Sequence, residues 1–481
     1  MQRAPLRKAR QLLLASTVAF AVLALFTSGA PVLAQARASS QVQVWLTDLA
    51  TTSRLTPQPG LSFQRAGAAS ASTVAIDDRR TYQAMIGFGA SLTDSSATLL
   101  ADSLDASQRA TLMKELFDPQ DGIGLDMLRQ PMGASDFALA NYSYDDTAPD
   151  LADFSIAHDR EAVLPVLKEI LALHPDLLLF ATPWSPPGWM KTSGQMVGGT
   201  LLPARRDALA GYFVKFIEAY AAEGVKIDFV TPQNEPHFSP AGYPGMHMEW
   251  DEQAAFIKDN LGPALAAAGL AGSTRILVWD HNWNDAYYAT NVLADAAARA
   301  FVAGSAFHCY EGDVSAQTPV HDQHPELGLW MTECSDGEWN GGYDGRLAHG
   351  IELVIGATRN WAKGVLMWNL ALDENFGPHT GGCGNCRGVV TISSTGAITH
   401  NVEYYALGHA SRFVRAGAHR VASTSGIEGV ESVAFKNADD GSKVLVVVNT
   451  AAVDRTVVVR WNGQMAQYVL VAGAVATFHW T

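Results

Sequence analysis

The sequence predicts an α/β chain in which a closed (β/α)8 barrel of the TIM type is joined to a β-sandwich built from both chain ends. Three observations predict it. Eight short apolar segments alternate with helical stretches through the middle of the 481 residues, and both ends read as strands. No glycine-rich phosphate loop follows the first apolar segment, which argues against a doubly wound open sheet.

Residues 1–36 come first and read as an export signal. Arg3, Arg7, Lys8 and Arg10 precede an apolar run from Leu12 to Phe26, and small residues lead to Ala34-Gln35-Ala36. The run is shorter than the roughly 20 apolar residues of a spanning helix. Cleavage near residue 35 or 37 is therefore expected, with a secreted or periplasmic product and no stable membrane insertion. Losing four positive charges takes the formal net charge from −15 to −19. So acidic a surface argues against a nucleic-acid partner.

Residues 37–80 supply N-terminal strands, at 41–46 and 72–76, split by a turn containing proline and glycine. The barrel is placed at 81–405. Its strands are expected at 84–90, 125–129, 177–182, 227–231, 275–279, 305–310, 327–332 and 364–369, with helical stretches such as 161–173, 206–223 and 250–268 between them. Residues 406–481 complete the sandwich with strands at 430–435, 443–449, 455–461 and 468–479. A composition of 48% hydrophobic and 17% charged residues suits a chain with a sizeable core. The 12 tryptophans divide between core packing and platforms for sugar rings.

In such a barrel, chemistry sits at the carboxyl ends of the strands. The fourth runs into Thr231-Pro232-Gln233-Asn234-Glu235-Pro236 and the seventh into Thr332-Glu333-Cys334. Two glutamates thus reach one mouth from strands nearly opposite each other. Acetal hydrolysis needs such a pair, one acid to protonate the leaving oxygen and one carboxylate on the other side of the anomeric carbon. Arg129, at the end of strand two, is placed to keep Glu333 ionised, or else to serve as an ordinary structural ion pair. Strand alternation puts His308 and Tyr310 on one face and Cys309 on the other, and turns Cys334 away from Glu333. Cys309 and Cys334 are therefore expected as buried thiols. Cys383 and Cys386 are expected to close a local disulfide, with free thiols the alternative and zinc disfavoured because no second pair of ligands lies near. Asp280-His281 suggests a triad, but no serine in an elbow setting accompanies it, so the segment reads as a subsite loop.

Three further motifs carry a family resemblance: Gly87-Phe88-Gly89-Ala90-Ser91-Leu92-Thr93-Asp94, the run from Ala181 to Lys191 containing Pro183-Trp184-Ser185-Pro186-Pro187, and Trp368-Asn369-Leu370-Ala371-Leu372-Asp373. With Asn234-Glu235-Pro236 and Glu333 they resemble glycoside hydrolase family 30, the glucosylceramidase family. The resemblance implies a retaining glycosidase with Glu235 as acid/base and Glu333 as nucleophile. It also implies that Asn234 bonds the sugar 2-hydroxyl, that Asp94 and Trp184 hold the far hydroxyls, and that Trp368 and Asn369 line the floor. It implies, too, that the sandwich and barrel are welded together. No cofactor or metal is expected, since no His-Glu-x-x-His or carboxylate cluster is present. The expected partner is a carbohydrate, and the expected state a monomer. The segment from Gly377 to Gly388 departs from the animal glucosylceramidases and looks more like microbial members acting on glucans. That favours β-1,6-glucan or a β-glucoside over a ceramide-linked sugar or a β-xyloside. A carbohydrate-binding barrel without catalysis is the rival class, and the presence of both glutamates argues against it.

Overall fold

The structure is a computed structural model that describes residues 41–68, 72–147, 149–340 and 343–481. The export-signal reading lies outside the described residues. Among those described, no helix is long and apolar enough to cross a membrane.

Eight parallel strands close into a barrel: Gly87–Ser91, Met127–Pro131, Leu178–Thr182, Phe229–Val230, Arg275–Asn282, Val302–His308, Gly328–Glu333 and Ala362–Asn369. All eight predicted strands are present, shifted by a few residues at their ends. Their alternation sends Met127, Phe180, Phe229, Leu277, Ala306, Trp330 and Leu366 into the barrel interior, where they form one buried cluster. That plug closes the barrel below its mouth. The opposite faces of the strands pack on the surrounding helices and form the largest core.

The second layer system is a ten-stranded sheet drawn from both chain ends. Gln41–Thr47 pairs antiparallel with Val475–Trp480, and Thr73–Ala84 lies between His419–Ser423 and Arg455–Trp461. Val42, Val74, Val447, Val459, Phe478 and Trp480 from distant strands of that order share one buried cluster, so the sheet is folded over as a sandwich. Its other face is buried as well. All seven residues of Lys443–Asn449 are buried, and Val444, Val446 and Val448 belong to the barrel's own core. The single strand predicted at 468–479 is two, Gln464–Leu470 and Val475–Trp480, with a turn at 471–474. Apolar residues continue through the reversal and hide it.

Helix Val402–Ser411 joins the two systems. Within it His409 meets Thr477 Oγ1 at 2.9 Å and Thr47 Oγ1 at 2.8 Å, one on the last strand and one on the first described. Complete burial pushes its imidazole down to about 3.

The cysteines correct one expectation. Cys309 and Cys334 are not thiols but a disulfide, with Cα atoms 5.4 Å apart. Alternation turns both away from the mouth, and because the sixth and seventh strands are neighbours this turns them toward each other. Cys383 and Cys386 form the second disulfide.

Candidate active site

At the carboxyl ends of the strands lies a cavity of about 670 Å³. Trp184, Glu235, Tyr310, Glu333 and Trp368 line it, together with Asp136, Tyr243, His281, Trp339 and the segment from Gly381 to Cys386. Its chemistry is organised from underneath.

Two strands are irregular at the same depth. The pairing of Val302–His308 with Arg275–Asn282 jumps from Trp279 to His281, leaving Asp280 out of register. Its pairing with Gly328–Glu333 jumps from Met331 to Glu333, leaving Thr332 out. These are bulges, one residue extra in each strand. Trp279 and Asp280 have φ of 75° and 65°, a conformation that side chains other than glycine rarely adopt. The Asp280 carboxylate accepts from Thr231 at 2.7 Å, Thr332 at 2.6 Å, Thr182 at 3.2 Å and Arg129 at 3.0 Å. Burial works against its charge, but Arg129, His308 and Thr332 hold it far below the usual carboxylate range. Asp280 is thus a fixed buried anion, and it does not line the cavity as a subsite-loop residue would. Its neighbours His281 and Asn282 do.

Arg129 is completely buried beside it and donates to Glu333 at 2.5 Å and to Asn234 at 2.6 Å. Its guanidinium carbon lies 4.8 Å from the Trp184 ring centre and 5.5 Å from that of Trp368, and those rings stack at 4.9 Å. His308 bridges from Asp280, with Nε2 3.1 Å from its carboxylate, to Glu235, with Nδ1 at 2.9 Å. Tyr310 donates to Glu333 at 2.9 Å. Glu235 itself has φ of 44°, and its amide donates to the Asp280 carbonyl, which bends the loop after strand four back over the mouth. One oxygen of Glu235 and one of Glu333 lie within 4.8 Å of each other and of the His308 ring.

The charge balance differs from the simple expectation that Glu235 carries the proton. Burial pushes the Glu235 carboxyl up, but the His308 hydrogen bond and the nearby His281 and Arg129 bring it below its ordinary value. Burial pushes Glu333 up, and with the charge of Glu235 it stays above its ordinary value despite His308, Arg129 and Tyr310. Against the burial that opposes its charge, His308 is raised to about 9 by Glu333, Asp280 and Glu235. Burial holds His281 down at about 4. Of these groups His308 is the one that holds its proton most firmly, in a hydrogen bond to Glu235.

Not every residue nominated from sequence faces the cavity. Asn234 is buried behind it against Arg129, and Asn369 bonds Thr93 through its carbonyl at 2.8 Å. Asp94 stands apart: its oxygens accept from the Leu139 amide at 3.0 Å and meet His158 at 2.9 Å, and it does not line the cavity. The carboxyl at that wall is Asp136, seven residues beyond Arg129, whose buried Oδ1 has no partner among the described residues. Burial, with Glu333 and Glu235, pushes it well above the carboxylate range. Its only sequence signal is an acid set in the small-residue stretch Met132-Gly133-Ala134-Ser135. Lys191 was not singled out either. Its Nζ donates to Ser185, the Met196 carbonyl and the Gly245 carbonyl at 2.6 to 2.8 Å, and so ties two loops of the mouth.

Comparison with known proteins gives the family. Residues 85–414 match the glycosyl hydrolase family 30 TIM-barrel domain, and residues 417–478 the family's beta sandwich domain. The chain is 37% identical over 411 residues to an endo-1,6-beta-D-glucanase of Neurospora crassa, covering 80% of this chain and 82% of that one. It is 31% identical over 398 residues to putative glucosylceramidase 2 of Caenorhabditis elegans, covering 78% and 76%. A solved endo-beta1,6-glucanase superposes with a TM-score of 0.84 at 35% identity, covering 92% of this chain and 99% of the other. The chain belongs to glycosyl hydrolase family 30.

Proposed function

We propose that the protein hydrolyses β-glucosyl linkages with retention of configuration, that its substrate is a β-1,6-glucan, and that Glu235 is the acid/base and Glu333 the nucleophile. The observation that carries the reading is the approach of the two carboxyls within 4.8 Å across one cavity. Retaining glycosidases hold theirs about 5 to 5.5 Å apart, whereas inverting ones leave about 6.5 to 9.5 Å for a water.

A sugar filling the cavity removes water and strengthens the burial that opposes charge on Glu235. The Nδ1 proton of His308 then crosses the 2.9 Å bond to Glu235 and from there passes to the glycosidic oxygen as it leaves. Glu333, its carboxylate steadied by Arg129 and Tyr310, attacks the anomeric carbon to give a glycosyl ester. With Glu333 neutral in the ester, Glu235 takes a proton from water as the water oxygen attacks the anomeric carbon and frees the Glu333 carboxylate, and that proton returns across the same bond to His308 Nδ1, which regenerates the site. Asp136 offers its unpartnered oxygen to a hydroxyl of the bound sugar, and the stacked Trp184 and Trp368 offer it an apolar floor.

Glu333→Gly should abolish turnover of an aryl β-glucoside, and azide should restore it with a glycosyl azide of inverted configuration as product. Absence of rescue would assign the nucleophile elsewhere. The choice of β-1,6-glucan draws on the Neurospora enzyme and the superposed structure, both endo-1,6-glucanases by name. We also read residues 1–36 as an export signal on their basic start and apolar run, and the mature chain as a monomer.

A further inference from the structure

The cavity is not uniform from floor to rim. Trp184 and Trp368 are 4% and 3% exposed, whereas Trp339 is 52% and Phe238 is 47% exposed, although all four line the same space. A sugar in reach of both glutamates lies on the buried pair. The half-exposed pair belongs to whatever extends beyond it.

Trp339 is held in place. A Cβ on Gly337 would stand 2.0 Å from its ring, so the indole lies directly on the glycine backbone with the rest of its surface open to the cavity. The turn carrying it is stitched to the second disulfide loop: Gly337 bridges Cys386, Glu338 donates its amide to the Asn385 carbonyl at 3.2 Å, and Asn340 closes the turn on Gly337. The same loop grips the floor. Gly382, at φ of 72°, comes so close to Asp136 that a Cβ there would stand 2.4 Å from the carboxylate. Phe238 reaches the rim from the loop of Glu235, three residues past it, and its amide closes a turn on the Glu235 carbonyl.

A seated, half-open indole at the edge of a carbohydrate cavity matches the apolar face of a pyranose ring, which carries C–H groups on one side and hydroxyls around its edge. We propose that Trp339, laid on Gly337 and pinned by the Cys383–Cys386 loop, is the platform for a second glucosyl unit of the chain, next to the one on the floor, with Phe238 as the wall on the Glu235 side. The inference rests on the β-glucosyl reading above and adds to it the residues that distinguish an oligosaccharide from a single sugar.

The test compares two substrates of the purified enzyme, a β-1,6-linked glucotriose and β-glucosyl fluoride. The fluoride reacts at the same floor but has no second sugar. For Trp339→Ala, the ratio of kcat/KM on the trisaccharide to kcat/KM on the fluoride should fall about tenfold or more, the size of effect expected for one lost stacking contact of about 1.4 kcal/mol. Trp339→Phe should recover part of it, and Gly337→Ala, which unseats the ring without removing it, should follow Trp339→Ala. An unchanged ratio in Trp339→Ala would overturn the platform. A wild-type enzyme that hydrolyses the fluoride but not the trisaccharide would instead overturn the β-1,6-glucan assignment, so the two failures are distinct.

Discussion

Arg129 divides its guanidinium among Glu333, Asn234 and Asp280, and His308 spans Asp280 and Glu235, so the two glutamates titrate through shared neighbours. This sets the pH profile. The nucleophile must be anionic, and because Glu333 sits above its ordinary value, activity falls as pH drops through that raised value. The proton supply must be filled, and with His308 raised to about 9, activity falls as pH climbs through it. We expect a bell in kcat/KM, which reports the free enzyme. His308→Asn should move the basic limb toward acid by about one unit or more, because Glu235 then holds the proton without its reserve. A limb that stays near 9 in the variant would take His308 out of that role. At this scale the sequence was legible where a motif named a residue type and a strand end, as for Glu235, Glu333 and Arg129. Asp94, a helix-opening acid after a strand, is bonded to the Leu139 amide and His158, partners that nothing in its motif announces. The sequence was silent at Asp136, which is brought to the cavity wall by a fold-back that no periodicity marks.

The strands themselves were legible because each is a short apolar run between polar helices. The irregularities that make them useful were not. A bulge adds one residue without changing composition, so nothing in Trp279-Asp280-His281 or Met331-Thr332-Glu333 announces that Asp280 and Thr332 leave the ladder. The Cys309–Cys334 bond was missed for a related reason. Alternation assigns a face within one strand, whereas pairing requires the register between two. Helix Val402–Ser411 has a testable role of its own. The unfolded chain protonates its histidine near 6.5, while His409 in the fold resists protonation down to about 3, so acid favours unfolding across that interval and adds nothing below it. In urea unfolding, the stability advantage of wild type over His409→Gln should be smaller at pH 5 than at pH 7 by about 2 kcal/mol. An advantage that does not change with pH would show that the imidazole is protonated in place.

For the whole molecule, the sequence announced both the barrel and a sheet from both ends, but not how the two cores merge. Val444, Val446 and Val448 read as an ordinary strand, yet they complete the barrel's packing. The export reading makes its prediction here. The intact mass and N-terminal sequence of protein recovered outside the cytoplasm should show a chain starting near residue 35 or 37. A chain that retains Met1 and its basic start would overturn the reading.

The pairing of Gln41–Thr47 with Val475–Trp480 has a consequence in time rather than in space. The strand synthesised first among those described has an open edge until the one at 475–480 has been made, more than 400 positions later. A nascent chain therefore carries this strand, paired on one side with Thr56–Ser62, with its other edge open through nearly all of its synthesis, the kind of edge that recruits the wrong neighbour.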